Sequence, residues 1–190
     1  TQVWLNAESE LRYPEQFAGE ERRVYLRGEA YFDVAKREGQ RFVVALGGTE
    51  VTVLGTEFNV KGYEDGGMAT TLVEGSVAVR RGEEECRLKP GEQAVVGEDG
   101  IAVAEVDTDL YTAWKDGYFI YRRAALDDIM QELARWYDFT YFYQNSGVAD
   151  LNLTAKLRKF DQVEDVFEIL EMTGQVDFAV KNKTVTVIGK

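Results

Sequence analysis

The sequence predicts two domains of different class: an all-β domain over residues 1–106 and an α+β domain over 113–190, joined by a linker at 107–112. Three observations predict it. Up to residue 106, apolar and polar residues alternate with period two between glycine-containing breaks, the mark of many short strands. Beyond it, apolar residues twice recur at helical spacing. The charge changes as well: residues 1–110 carry 12 Lys+Arg against 22 Asp+Glu and residues 111–190 carry 10 against 12, so most of the net charge of −12 falls in the first part.

In the first part the alternation marks strands at Val3–Leu5, Arg23–Leu26, Ala30–Val34, Arg41–Ala45, Val51–Leu54, Phe58–Tyr63, Ala69–Val73, Ser76–Arg80, Glu85–Leu88, Gln93–Val96 and Ala102–Val106. Turn chemistry separates several of them, at Gly47-Gly48, Glu64-Asp65-Gly66-Gly67, Pro90-Gly91 and Glu98-Asp99-Gly100. No stretch there keeps helical spacing for two turns. Segments beginning at Leu26, Leu72 and Leu88 share a leucine, a glycine two or three residues on, and then an alternating strand. Their uneven spacing excludes a fixed-period array and suits a chain winding through similar corners, as in a sandwich or an irregular solenoid.

In the second part Val106–Leu110 is polar enough for a linker, and Tyr118–Tyr121 reads as a strand. Leu126, Ile129, Met130, Leu133, Trp136 and Tyr137 form one helix face, and Phe139–Tyr143 and Leu151–Leu157 return to strand. Asp161 with Glu164 makes a capping-box-like start for a helix burying Val163, Val166, Phe167 and Leu170. Gly174 stands where a helix-ending glycine belongs. Val176–Val180 and Thr184–Ile188 close the chain as a hairpin. The order β-α-β-β-α-β-β holds a duplication, since Leu126, Ile129 and Leu133 recur as Val163, Val166 and Leu170 at a constant offset of 37 residues. It predicts two βαβ halves with both helices on a small sheet.

Several chemistries are excluded or disfavoured. There is no histidine, which removes the commonest general base, the serine and cysteine triads, and the usual zinc, iron and copper sites. The single cysteine, Cys86, can form neither an intrachain disulfide nor a thiolate cluster. None of Ser9, Ser76 and Ser146 stands in a G-x-S-x-G elbow, and there is no Walker A or G-x-G-x-x-G motif. The net charge disfavours nucleic acid. The longest apolar runs fall far short of the roughly 20 residues of a membrane helix. The chain begins within a strand-like pattern and reads as a mature or excised fragment. No catalytic residue, cofactor site or metal site is therefore assigned. Glu29 and Glu74 are the positions where a carboxylate pair would be sought; the simpler reading puts both on turns facing solvent. Asp107 and Asp109 resemble the start of a calcium loop but lack its glycine and distal glutamate.

Aromatic residues are the remaining candidates. Trp136 and Tyr137 follow the helical spacing into the core. In Phe139-Thr140-Tyr141-Phe142-Tyr143 the aromatics point to both faces of a strand. Phe139, Tyr141 and Tyr143 are the candidate partner-binding residues, as an exposed aromatic face or an edge that receives a partner strand; the alternative is a face buried under helices.

Several segments together resemble one family. Val3-Trp4-Leu5-Asn6-Ala7, Leu26–Val34, Val53–Val60, Thr71–Val77 and Leu88–Ala94 resemble the FecR-type anti-sigma regulators. Ala113-Trp114-Lys115-Asp116-Gly117 and Leu133–Asp138 are similar to the C-terminal domain found with it. The resemblance implies a solenoid-like all-β sandwich followed by a domain like the secretin/TonB short N-terminal domain. It implies the periplasmic part of a single-pass inner-membrane protein that senses a TonB-dependent outer-membrane transporter, through that transporter's signalling domain, and relays its state to an extracytoplasmic-function sigma factor. Sigma-factor contact and membrane anchoring belong, in that family, to an upstream segment and helix this sequence does not contain. The family supplies no catalytic motif, and its recurrent glycines (Gly28, Gly55, Gly75, Gly91) are expected as backbone corners. The expectation is a regulator acting by protein–protein contacts and not an enzyme. The competing reading is a carbohydrate-binding or cell-surface module, given tyrosine-rich strands on an acidic sandwich.

Overall fold

The structure, a computed structural model, describes residues 1–64, 66–160 and 162–190. The chain divides into two compact units, Thr1–Lys115 and Asp116–Lys190.

The first unit is built from β1 (Gln2–Leu5), β2 (Glu10–Arg12), β3 (Glu21–Val34), β4 (Arg41–Leu46), β5 (Thr49–Val53), β6 (Thr56–Gly62), β7 (Met68–Glu74), β8 (Val77–Arg81), β9 (Glu84–Leu88), β10 (Glu92–Gly97) and β11 (Gly100–Glu105). Among the described residues these form one eleven-stranded sheet in the order β11-β10-β7-β6-β3-β4-β5-β8-β9, with β1 and β2 both on β3. The pairs are antiparallel except β3 with β4. Such pairing gives a large sheet folded onto itself.

β3 is the reason the sheet can fold. Its first half pairs with β4 and its second half with β6, so one strand belongs to two leaves. Alternation then sends Phe32, Phe58, Leu72 and Ala94 from one leaf, and Val24, Phe42, Val44, Val51 and Val79 from the other, into a common core. Phe32 stacks on Phe58 at 5.1 Å and tilts against Phe42 at 5.9 Å. Each such buried ring contributes about 1.5–3 kcal/mol. The sheet is nearly closed: β9 and β11 meet through the Ile101 N–H donating to Glu84 Oε2 (3.2 Å), a side-chain contact in place of a backbone ladder.

Two readings of this region change. Arg23–Leu26 and Ala30–Val34 are one continuous strand, and Gly28 lies inside it, where β3 passes from leaf to leaf. Gly28 has φ +90, and a Cβ there would stand 2.3 Å from Ser9 Oγ. Only glycine fits, because the β1–β2 connection crosses at that point. Gly75 (φ +95) and Gly91 (φ +87) stand beside strand ends, while Gly55 is crowded by Lys36 without a positive φ. The second change is at 107–112, expected as a linker. Asp109–Thr112 is a short helix, α1, followed by a 3₁₀ turn at Ala113–Asp116. The Leu110 N–H donates to Asp107 O (3.1 Å), the Tyr111 N–H to Thr108 O (3.0 Å), and Thr112 Oγ1 to Thr108 O (3.0 Å). The polar Asp-Thr-Asp run is helix-start chemistry as much as linker chemistry. Lys115 Nζ lies 5.1 Å over the Tyr31 ring of β3.

The second unit comprises β12 (Tyr118–Ala125), α2 (Leu126–Tyr137), β13 (Thr140–Tyr143), β14 (Asn152–Arg158), α3 (Val163–Glu171), β15 (Val176–Lys181) and β16 (Thr184–Gly189). The element order and the helical apolar faces are as expected. Leu126, Ile129, Leu133, Val166 and Leu170 are fully buried. Asp161 of the expected capping box lies outside the described residues. Gly174 (φ +73) closes the turn after α3, its N–H donating to Glu171 O (2.9 Å). The sheet arrangement differs from the expected single sheet. β12 pairs antiparallel with β14, while β13, β16 and β15 form a separate three-stranded sheet. α2 packs on β12 and β13, and α3 on β14 and β15, so each helix touches one strand of each sheet. The helices are therefore the middle of this unit.

Candidate functional site

Around β13 the site is built from α2 outward. The helix ends at Asp138, which takes the left-handed conformation (φ 54) and turns the chain back along the helix. β13 then runs parallel to β16, with Tyr141 opposite Val185 and Tyr143 opposite Val187. Val185 and Val187 are core residues, so Tyr141 and Tyr143 share the inner face, and Thr140 and Phe142 the outer one.

The inner face is closed by specific chemistry. The Tyr141 and Tyr143 hydroxyls both donate to Asp127 Oδ1, at 3.0 and 2.8 Å, and Gln131 Nε2 donates to Asp127 Oδ2 at 2.7 Å. Asp127 stands in the first turn of α2, where a carboxylate is favoured by the helix dipole. Burial raises its pKa, but the hydrogen bonds from Tyr143, Gln131 and Tyr141 outweigh it and hold the carboxyl below its usual range. Burial and the neighbouring Asp127 push the Tyr143 phenol up. An aromatic chain continues inward: Tyr143–Tyr141 at 5.7 Å, Tyr141–Phe139 at 6.4 Å, Phe139–Phe167 at 5.7 Å and Phe167–Phe178 at 4.4 Å.

Phe139, Tyr141 and Tyr143 are thus brought together, half-buried and packed against the core of their unit. The open aromatic of the strand is Phe142, 53% exposed. It leads a row Phe142–Thr186–Ala179 across the outer face, flanked by Thr140–Thr184–Lys181. β13 is one of the two edge strands of this sheet, β15 being the other. Alternation separates the two faces of Phe139–Tyr143 without saying which is buried, so the sequence does not mark Phe142 as the exposed aromatic. The signal for it was Asp127, an acceptor one helix away that lets tyrosine hydroxyls point inward.

The other positions considered for chemistry are dispersed. Glu74 is exposed, but Glu29 is buried at 5% exposure and does not face solvent as expected. Its carboxylate accepts from Asn6 Nδ2 and Asn59 Nδ2, both at 2.8 Å, and its own N–H donates to Ser9 Oγ at 2.8 Å. That network ties the β1–β2 connection to β3 beside Gly28. Among the described residues no three His, Cys, Asp or Glu are placed to hold a metal ion. None of the described helices is long and apolar enough to cross a membrane.

Residues 1–78 match the FecR protein family and residues 118–187 match the FecR C-terminal family. The chain belongs to the FecR-type anti-sigma factors. Its fold is similar to that of a candidate anti-sigma factor from Parabacteroides distasonis ATCC 8503 in two crystal structures. One aligns with TM-score 0.88 at 29% identity, covering 99% of this chain and 90% of that one. The second gives 0.87 at 29% identity, covering 99% and 89%. No curated protein matches the sequence. The FecR family is generally a regulatory one.

Proposed function

We propose that this chain is the periplasmic sensing part of a FecR-type regulator. It relays the state of a TonB-dependent outer-membrane transporter to an extracytoplasmic-function sigma factor by protein–protein contacts, without catalysis. The observation that carries this reading is the succession of the two FecR matches along one chain. In this reading, sigma-factor contact and membrane anchoring reside in a segment outside this sequence, and the two units are the receiving end.

The contact we assign is the β13 edge with Phe142. An exposed aromatic on an edge strand supplies both an anchor side chain and a place for a partner strand. Tyr141 and Tyr143 hold that strand in position through Asp127. The test is calorimetric binding of the cognate transporter's signalling domain. Phe142→Asp is expected to weaken binding by about ten-fold or more, the loss of roughly 1.4 kcal/mol at an interface anchor, while Tyr141→Phe leaves it near wild type. Equal affinity of wild type and Phe142→Asp would remove the assignment; absence of any binding by the wild type would remove the relay itself.

A further inference from the structure

The sheet β12–β14 carries a basic face in an acidic chain. Its two strands, eight and seven residues long, contain Arg122, Arg123, Lys156 and Arg158 and no Asp or Glu, while the whole chain has a net charge of −12. The register places Tyr118 opposite Arg158 and Ile120 opposite Lys156. The intervening residues Phe119, Tyr121, Leu153 and Leu157 are buried. Alternation alone would send Arg123 inward after Arg122. A bulge between Tyr121 and Ala124 prevents that, and both arginines are exposed. Arg123 takes φ 50 there, a left-handed conformation that non-glycine residues seldom adopt, and its N–H donates to Thr154 Oγ1 at 3.0 Å.

Among the described residues no carboxylate pairs with Arg123, Lys156 or Arg158. Lys156 Nζ instead lies 5.4 Å over the Tyr118 ring. We infer that this face docks an acidic protein segment, in extended form, with carboxylates on alternate residues. Lys156 and Arg158 are two residues apart on one face, about 7 Å, which is also the spacing of alternate carboxylates in an extended partner. Arg123 and Arg158 carry forked donors that suit carboxylates, and Tyr118 and Ile120 lie beside Arg158 and Lys156 as apolar contact. That mixture favours a protein over an anionic lipid surface, which needs charge but no aromatic contact. The inference deepens the sensing role by giving the chemistry of a partner, and it rests on that role only for the partner's identity.

The probe is a synthetic peptide alternating Glu with Thr, beside a control with Gln in place of Glu, titrated into the intact chain and followed by residue-resolved NMR. The expected result is shifts at Tyr118, Ile120, Lys156 and Arg158 with the Glu peptide only. They should weaken at high salt and disappear in Lys156→Glu/Arg158→Glu, whose thermal midpoint stays near wild type. Equal shifts with both peptides, or none with either, would overturn the inference. So would binding to phosphatidylglycerol vesicles that depends on the same two residues and exceeds binding to the peptide. The cognate signalling domain separates the two readings. If it binds wild type and the double variant equally but loses Phe142→Asp, the relay stands and the basic face is not its contact. If it binds neither while the Glu peptide binds as expected, the acidic docking surface stands and the relay falls.

Discussion

Two exposed sheet faces of this chain treat charge in opposite ways. On the outer face of β3, β4, β5 and β8, each arginine has a carboxylate: Arg23 with Glu21 (2.5 Å) and Glu50 (2.7 Å), Arg41 with Glu21 (2.9 Å), and Arg80 with Glu50. On β12–β14, Arg123, Lys156 and Arg158 have no carboxylate partner among the described residues, and neither strand holds an acid. The first pattern holds neighbouring strands together and leaves little field for a partner. The second leaves its field to the outside. Charge density alone would not separate them, since both strips are rich in arginine; pairing does.

The comparison can be broken in several ways, beginning with the largest expected effect. Asp127→Ala removes one acceptor from Tyr141, Tyr143 and Gln131 together and is expected to cost about 2–3 kcal/mol in chemical denaturation of the second unit. Hydrogen exchange in the first unit should stay unchanged. Glu50→Ala leaves Arg80 without its carboxylate and Arg23 with Glu21 alone, and should cost about 1 kcal/mol in the first unit; a neutral result would make the paired ladder as dispensable as the β12–β14 face.

Acid gives a third test. Hydrogen bonds and charge from Arg23 and Arg41 hold the Glu21 carboxyl below its ordinary value of 4.5, and Arg23 and Arg80 do the same for Glu50, each against a smaller opposing effect of burial. A depressed folded pKa adds stability that is complete above the ordinary value. It is lost as the pH falls through that value and then through the lower folded one. Melting of the first unit followed from pH 7 down to pH 3 should therefore drop most steeply below about pH 4.5, and Glu50→Gln should flatten the drop. The smallest effect is expected at Lys156→Gln, within about 0.5 kcal/mol of wild type, because no folded-state carboxylate loses a partner. A larger destabilisation would show that the basic face is structural after all.

Much of the fold is legible in the sequence because period-two and helical patterns are local. Leu126 to Tyr137 is both the expected and the observed helix, and the 37-residue offset reappears as β12–α2–β13 and β14–α3–β15. What is not legible depends on partners distant in sequence. Glycine at 28 reads as a break because nothing local shows that Ser9 crosses there. A single small sheet was expected because the sequence does not show that β13 pairs with β16 and β12 with β14. The burial of Tyr141 and Tyr143 in place of Phe142 inverts simple hydrophobicity, and it needs Asp127 opposite them to make sense. Arg122-Arg123 and Lys156/Arg158 are plain in the sequence as charges; only the β12–β14 register makes them one surface.

The place of β3 at the centre of its sheet also orders assembly. β4 is laid on β3 and β5 on β4; β6 then takes the other side of β3, and β7 follows it. β8 and β9 extend the first edge, β10 and β11 the second. Every strand after β3 therefore meets an edge already in place when it emerges from synthesis, and no strand has to be inserted between two earlier ones. The two growing edges meet only when the last hairpin arrives. A chain interrupted before β10 would carry an open edge at β7 and an uncovered flank of the apolar interior, so completion of that hairpin is the step after which this unit is safe from pairing with its neighbours.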